Sequence, residues 1–173
     1  IIDAVVLTVT QKAAMKIEDN RAGDSLAIIT INSKLQSMMS FDTSESMLNW
    51  DFVTLWEATD KEIKNNEVPE EAIGRVRSVS YAMIDLQSGD SIPKEIRHLR
   101  YLESFSIQSN ANRQTRTVHL GEEICELEYL KNLTVFSLGI EDFPNNFVKL
   151  VLDILPTISK HSLPSPIILF TTG

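Results

Sequence analysis

The apolar positions of residues 92–110, IPKEIRHLRYLESFSIQSN, are Ile92, Ile96, Leu99, Leu102, Phe105 and Ile107, at steps of four, three, three, three and two. Steps of three and four set side chains on one face of a helical or 3-10 segment. A final step of two sets them on one face of a strand. The pattern predicts a short helical segment running into a short strand, both facing one core. Apolar–turn–apolar marks stand at Ile92–Ile96, Leu120–Ile124 and Phe143–Phe147, at offsets of 28 and 23 residues. Leu127, Leu130, Leu133, Phe136 and Leu138 follow the second mark, with one extra step of three. A unit of one short helix and one short strand cannot bury its apolar side alone, so such units are expected to stack. An ordinary amphipathic helix over 94–105 is the plainer reading, but it gives no cause for the second copy.

The rest of the chain is less periodic. Residues 1–10, rich in β-branched side chains, read as a strand. Residues 11–24 are polar and read as a linker, and 24–39 as a helix with Asp24 and Ser25 as N-cap types and Leu26, Ile29, Leu35 and Met38 along its stripe. Both tryptophans, Trp50 and Trp56, fall in 48–59; their size suits them to cover the open end of a stack, and core packing is the plain alternative. A degenerate earlier copy occupies 74–93, with Val76, Val79 and Tyr81 at inward strand positions. Residues 145–160 read as a capping helix that Pro156 bends or ends, and 165–173 as a last apolar strand that must find a partner.

In the form IPxxIxxLxxLxxLxLxxN the 92–110 stretch resembles the leucine-rich repeat family. The 120–138 copy fits with its insertion and lacks the asparagine that Asn110 supplies in the first. Asp24-Ser25-Leu26-Ala27, Asn49-Trp50 and Trp56 resemble the N-terminal cap of the short bacterial cell-surface members. The resemblance covers residues 24–150 and implies an α/β fold: a short leucine-rich-repeat solenoid, with parallel strands on the concave side, helices or 3-10 turns outside, and helical N- and C-terminal caps. It implies four parts: a terminal strand and linker (1–23), an N-terminal cap (24–73), the repeats (74–144), and a C-terminal capping helix and strand (145–173). Ile84 in place of the first asparagine and an insertion at 111–119 depart from the pattern. VVLTVTQKA (5–13) looks like the last strand of the immunoglobulin-like modules that precede such repeats in gut-bacterial surface proteins.

Composition narrows this picture. At 173 residues and 43% hydrophobic, the chain suits one globular domain, or one with an appendage. Its net charge of −8 argues against nucleic acid and anionic membrane surfaces as partners. No apolar run approaches the ~20 residues that span a bilayer. A single cysteine, Cys125, excludes an internal disulfide, which fits a reducing compartment or an exported domain large enough to need none. The chain opens on Ile1, so a removed upstream segment is expected: a signal peptide, a lipoprotein leader or a whole domain.

Candidate chemistry is sparse. His98, His119 and His161 lie in different units without metal-ligand spacing, and Cys125 reads as a half-buried thiol rather than a nucleophile. The acidic Glu122, Glu123, Glu126 and Glu128 and the basic Lys94, Arg97 and Arg100 read as solvated outer stripes. No catalytic, cofactor-binding or metal residues are assigned. Strand alternation instead places Ser78 and Ser80, then Ser104, Ser106 and Gln108, then Val135 and Ser137 on the concave face, with Ser80, Ser106 and Ser137 as one row. Arg113 and Arg116 are expected on an exposed loop as further contacts. The face lacks aromatic and arginine anchors, so an idle solvated sheet stands equal to a binding surface. The expected function is a non-enzymatic ligand-binding or protein–protein interaction module of an exported bacterial surface protein. It would be extracytoplasmic, at the cell surface or in the periplasm, with a protein or glycan ligand, no cofactor, no nucleic acid and an upstream lipid anchor. The alternatives are a structural spacer within a larger multidomain protein, and a cytoplasmic repeat protein.

Overall fold

A computed structural model describes residues 16–109, 116–147 and, as backbone, 169–171. Helix α1 spans Arg21–Lys34, and Asn20 caps it by accepting from the Gly23 N–H at 2.9 Å. Ala27, Ile28, Ile31 and Leu35 are fully buried, at the three- and four-residue spacing of one helical face. The expected start at Asp24 and Ser25 is too late, because Asp24 does not cap. Its carboxylate takes Arg75 Nε and Nη2 at 2.8 Å each and the Val76 N–H at 3.2 Å. Both side chains are buried, and this pair joins α1 to the first long strand.

Strand β1 is Val53–Leu55, and the one-turn helix α2 is Lys61–Lys64. Then follow β2 (Val76–Ile84), β3 (Ser104–Ser109), β4 (Thr117–His119), β5 (Asn132–Phe136), β6 (Gly139–Asp142) and β7 (Leu169–Thr171). Three-ten helices at Lys94–His98 and Glu122–Glu126 precede β3 and β5, so the switch of period within 92–110 corresponds to a real change of backbone. Gly74 turns the chain into β2 at φ +79°, where a side chain would be strained.

The leucine-rich-repeat solenoid with helical caps is not what forms. The sheets are not curled into a repeating coil. One is five-stranded in the order β1-β2-β3-β5-β7, and the other is the separate parallel pair β4-β6. β1 pairs antiparallel with β2, a hairpin-like edge that no parallel repeat supplies. The extra residues 111–119, read as an insertion, contribute β4 to the second sheet. The expected strand over 1–10 and the capping helix beyond residue 147 lie outside the described residues, as does Asn110. Of the last expected strand, 169–171 are described, pairing in parallel with β5.

Phe105 and Tyr81 meet edge to face at 6.2 Å in one core with α1, and the buried Tyr81 hydroxyl donates to the Ile28 carbonyl at 3.0 Å. Burial pushes that phenol far above its ordinary range. Trp56 belongs to a second cluster with Ile63, Val68, Ala72 and Tyr101. Its ring carries Arg77 at 4.4 Å. Arg77 also pairs with Asp60 at 2.9 Å and Glu103 at 2.6 Å, and Glu103 with Lys131 at 3.0 Å. Arg77, Glu103 and Lys131 thus form an alternating charge ladder at the entry to β2, β3 and β5, and opposite charges on neighbouring strands favour this register.

In the second sheet, His119 Nδ1 lies 2.6 Å from an Asp142 oxygen and Nε2 3.8 Å from Glu141. The hydrogen bond to Asp142 raises the imidazole pKa; slight desolvation opposes it and the two carboxylates add to it. A raised folded-state pKa means that the contribution is complete below the unfolded value of about 6.5 and is lost as pH rises through the folded one. Wild type should therefore lose its stability advantage over His119→Asn as pH rises above the ordinary imidazole value of about 6.5, read from urea midpoints. An advantage that grows with pH contradicts the pairing.

Candidate functional site

The sheet presents one face to the core and one away from it. Register pairs Ser78 with Ser104 and Ser104 with Asn132, and it pairs Ser80 with Ser106 and Ser106 with Thr134. Thr54 of β1 lies opposite Ser78, their hydroxyls 2.6 Å apart. Two rows result: Thr54, Ser78, Ser104, Asn132; and Ser80, Ser106, Thr134. Neighbours within a row are set by the strand spacing of about 4.8 Å, and the rows lie about 6.7 Å apart, two residues along a strand. Val79, Phe105 and Leu133, then Tyr81, Ile107 and Val135, are buried behind them. The apolar residues between the hydroxyls fix the rows, since a slip of one residue would turn every serine inward.

The third strand departs from the sequence reading. Val135 is 2% exposed and packs in the core, whereas Phe136 is 43% exposed. Ser137 lies beyond the end of β5 with φ +57°, so it is not in the row; Thr134 is. Counting from Leu133 at period two would have placed Val135 inward. The stretch Leu133-Thr134-Val135-Phe136 is ambiguous because both phases carry apolar residues. Asn132 and Thr134 were missed for the same reason. Ser78, Ser80, Ser104, Ser106 and Gln108 share the outer face, Ser80 and Gln108 exposed and the others half-buried.

Arg116 is not a free loop contact. It pairs with Asp85 at 2.7 Å and donates to the Leu86 carbonyl at 2.8 Å, which ties β4 to the segment after β2. Arg113 lies outside the described residues. Cys125 is half-buried, and desolvation first, then Glu122 and Glu126, push its thiol up, away from a reactive thiolate. Among the described residues no three His, Cys, Asp or Glu side chains are placed to hold a metal ion. The rows themselves hold no titratable group, hence no nucleophile with a base beside it.

At the far end of the face the backbone is unusual. The register of β2 against β3 shifts between Tyr81 and Ile84, and Met83 takes φ +53° with its side chain 48% exposed. The segment after α1 braces this bulge: Ser37 Oγ donates to the Ala82 carbonyl at 2.9 Å and the Met38 N–H to the Met83 carbonyl at 3.3 Å.

No family model matches the chain, and no curated protein matches it. Sheets that do not curl into a repeating coil overturn the leucine-rich-repeat membership expected from the sequence, along with the solenoid. The crystal structure of a plant ice-binding protein is similar, with a TM-score of 0.55 and 21% identity. The match covers 77% of this chain and 38% of that one. The likeness is one of fold. Among the described residues no helix is long and apolar enough to cross a membrane.

Proposed function

We propose that the protein is a binding module outside the cytoplasm, whose outer sheet face takes up a flat, uncharged partner. The observation that carries this reading is the pair of in-register rows, Thr54-Ser78-Ser104-Asn132 and Ser80-Ser106-Thr134. Side chains this small let a flat surface come close to the sheet, and no ion has to be stripped of water on contact. Each hydroxyl offers one donor and two acceptor sites, so the Thr54–Ser78 pair keeps capacity for a partner. The fold likeness to a plant protein described as ice-binding supports a face of this kind and makes ice the first surface to try. An exported, surface-held setting with a protein or glycan ligand belongs to the same reading.

Ser106 sits at the centre of the face. Ser106→Trp raises a bulky ring there while leaving the inward Phe105 and Ile107 in place. Retention on ice and on immobilised neutral polysaccharide should fall about tenfold or more, roughly 1.4 kcal/mol, with the circular dichroism unchanged. Wild-type retention in the variant on every surface that binds the parent protein would remove the face from consideration.

A further inference from the structure

We propose that the partner is a neutral, extended glycan lying across the strands, with Phe136 as its stacking platform; this rests on the sheet face being the binding site. Phe136 stands opposite Gln108 in the register, and both are exposed on the outer face, one step beyond the Ser80-Ser106-Thr134 row. A sugar ring has hydroxyl edges and a C–H face. It needs polar groups along its length and an apolar plate under one ring, and aromatic side chains supply such a plate. Here hydroxyl and amide groups recur at each strand, with one exposed aromatic ring beside them.

Charge selects among glycans. The chain carries a net charge of −8, yet the rows, Gln108 and Phe136 carry none. A polyanion approaching this face would meet a chain of net negative charge and find no cation on the rows. A protein partner is served less well, since tight protein interfaces centre on clustered Trp, Tyr and Arg, and the centre here is serine. The Met83 bulge lies at the same end as Phe136 and Gln108. Strained residues of this kind persist where the surroundings hold them, and they gather at binding sites.

Affinity electrophoresis through hydroxyethyl cellulose, a neutral β-linked polymer, tests this, with dextran sulfate as the anionic counterpart. Wild type should be retarded by the neutral polymer and not by the sulfated one. Both Phe136→Ala and Ser106→Trp should weaken the retardation about tenfold, with melting curves showing both folded. Retardation by the sulfated polymer alone, no retardation by the neutral one, or equal retardation of Phe136→Ala and wild type each overturns the glycan assignment. If ice or a protein is then bound in a manner sensitive to Ser106→Trp but not to Phe136→Ala, the face stands as the binding site and only the glycan fails. If Ser106→Trp changes nothing on any surface, both fail.

Discussion

Asp24→Ala is expected to cost about 3–5 kcal/mol of folding stability, because it strips a buried guanidinium of its buried, inner counter-ion. Arg75 is 8% exposed and Asp24 1%. Asp24 accepts both guanidinium bonds at 2.8 Å and the Val76 N–H. Asp19 remains at 2.7 Å from Arg75, on the half-exposed side, and its own carboxyl is held low first by that hydrogen bond. It softens the loss without replacing the inner oxygens. Set against the 5–15 kcal/mol typical of a whole domain, the loss is large. Guanidinium denaturation of Asp24→Ala, Arg75→Met and the double variant Asp24→Leu/Arg75→Met forms the test. The double variant should be more stable than Asp24→Ala, since an apolar pair removes the stranded charge. A single-variant loss below about 1 kcal/mol would mean that water reaches Arg75 and the pair is not buried in solution.

Trp56→Ala should be comparably damaging, about 3–5 kcal/mol. Trp56 is 1% exposed, its indole N–H donates to the Tyr101 carbonyl at 2.8 Å, and Arg77 lies over its ring. Alanine removes apolar area, a donor to a buried carbonyl and the plate beneath Arg77, which Asp60, Glu62 and Glu103 surround, at once. Trp56→Phe divides these effects. It keeps most of the packing and leaves the Tyr101 carbonyl unpaired, for about 1–3 kcal/mol. Thermal melts of both variants decide the matter, and equal melting temperatures for Phe and Ala would show that the hydrogen bond, not the volume, dominates.

Which residues face inward and outward on the candidate face was legible wherever polar and apolar residues alternate cleanly. Ser78-Val79-Ser80-Tyr81 and Ser104-Phe105-Ser106-Ile107 have one apolar phase each, and the burial follows it. Leu133-Thr134-Val135-Phe136 has two, and the sequence reading crosses from one to the other, setting Leu133 inward correctly but Phe136 inward in place of Val135. Local rules failed where a distant partner intervened. Asp24 looks like a helix cap until Arg75, 51 residues on, claims it. Arg116 looks like a loop contact until Asp85 and Leu86 take it up. The architecture failed for a related reason. A repeat in the apolar spacing fixes which residues face inward, but not whether strands curl. Here an antiparallel edge at β1, a strand drawn from residues 169–171 and a separate β4-β6 pair make up the sheets.

The neutrality of the rows also bears on the kinetics of encounter. A face without charge gives no long-range pull, so association proceeds at the unsteered rate of about 10⁵–10⁶ M⁻¹s⁻¹. With a screening length near 10 Å at 0.1 M salt and no fixed charge to screen, ionic strength has little hold on that rate. The proposed binding should therefore be alike in dilute and in saline water, with its speed and permanence set by contact area and residence time.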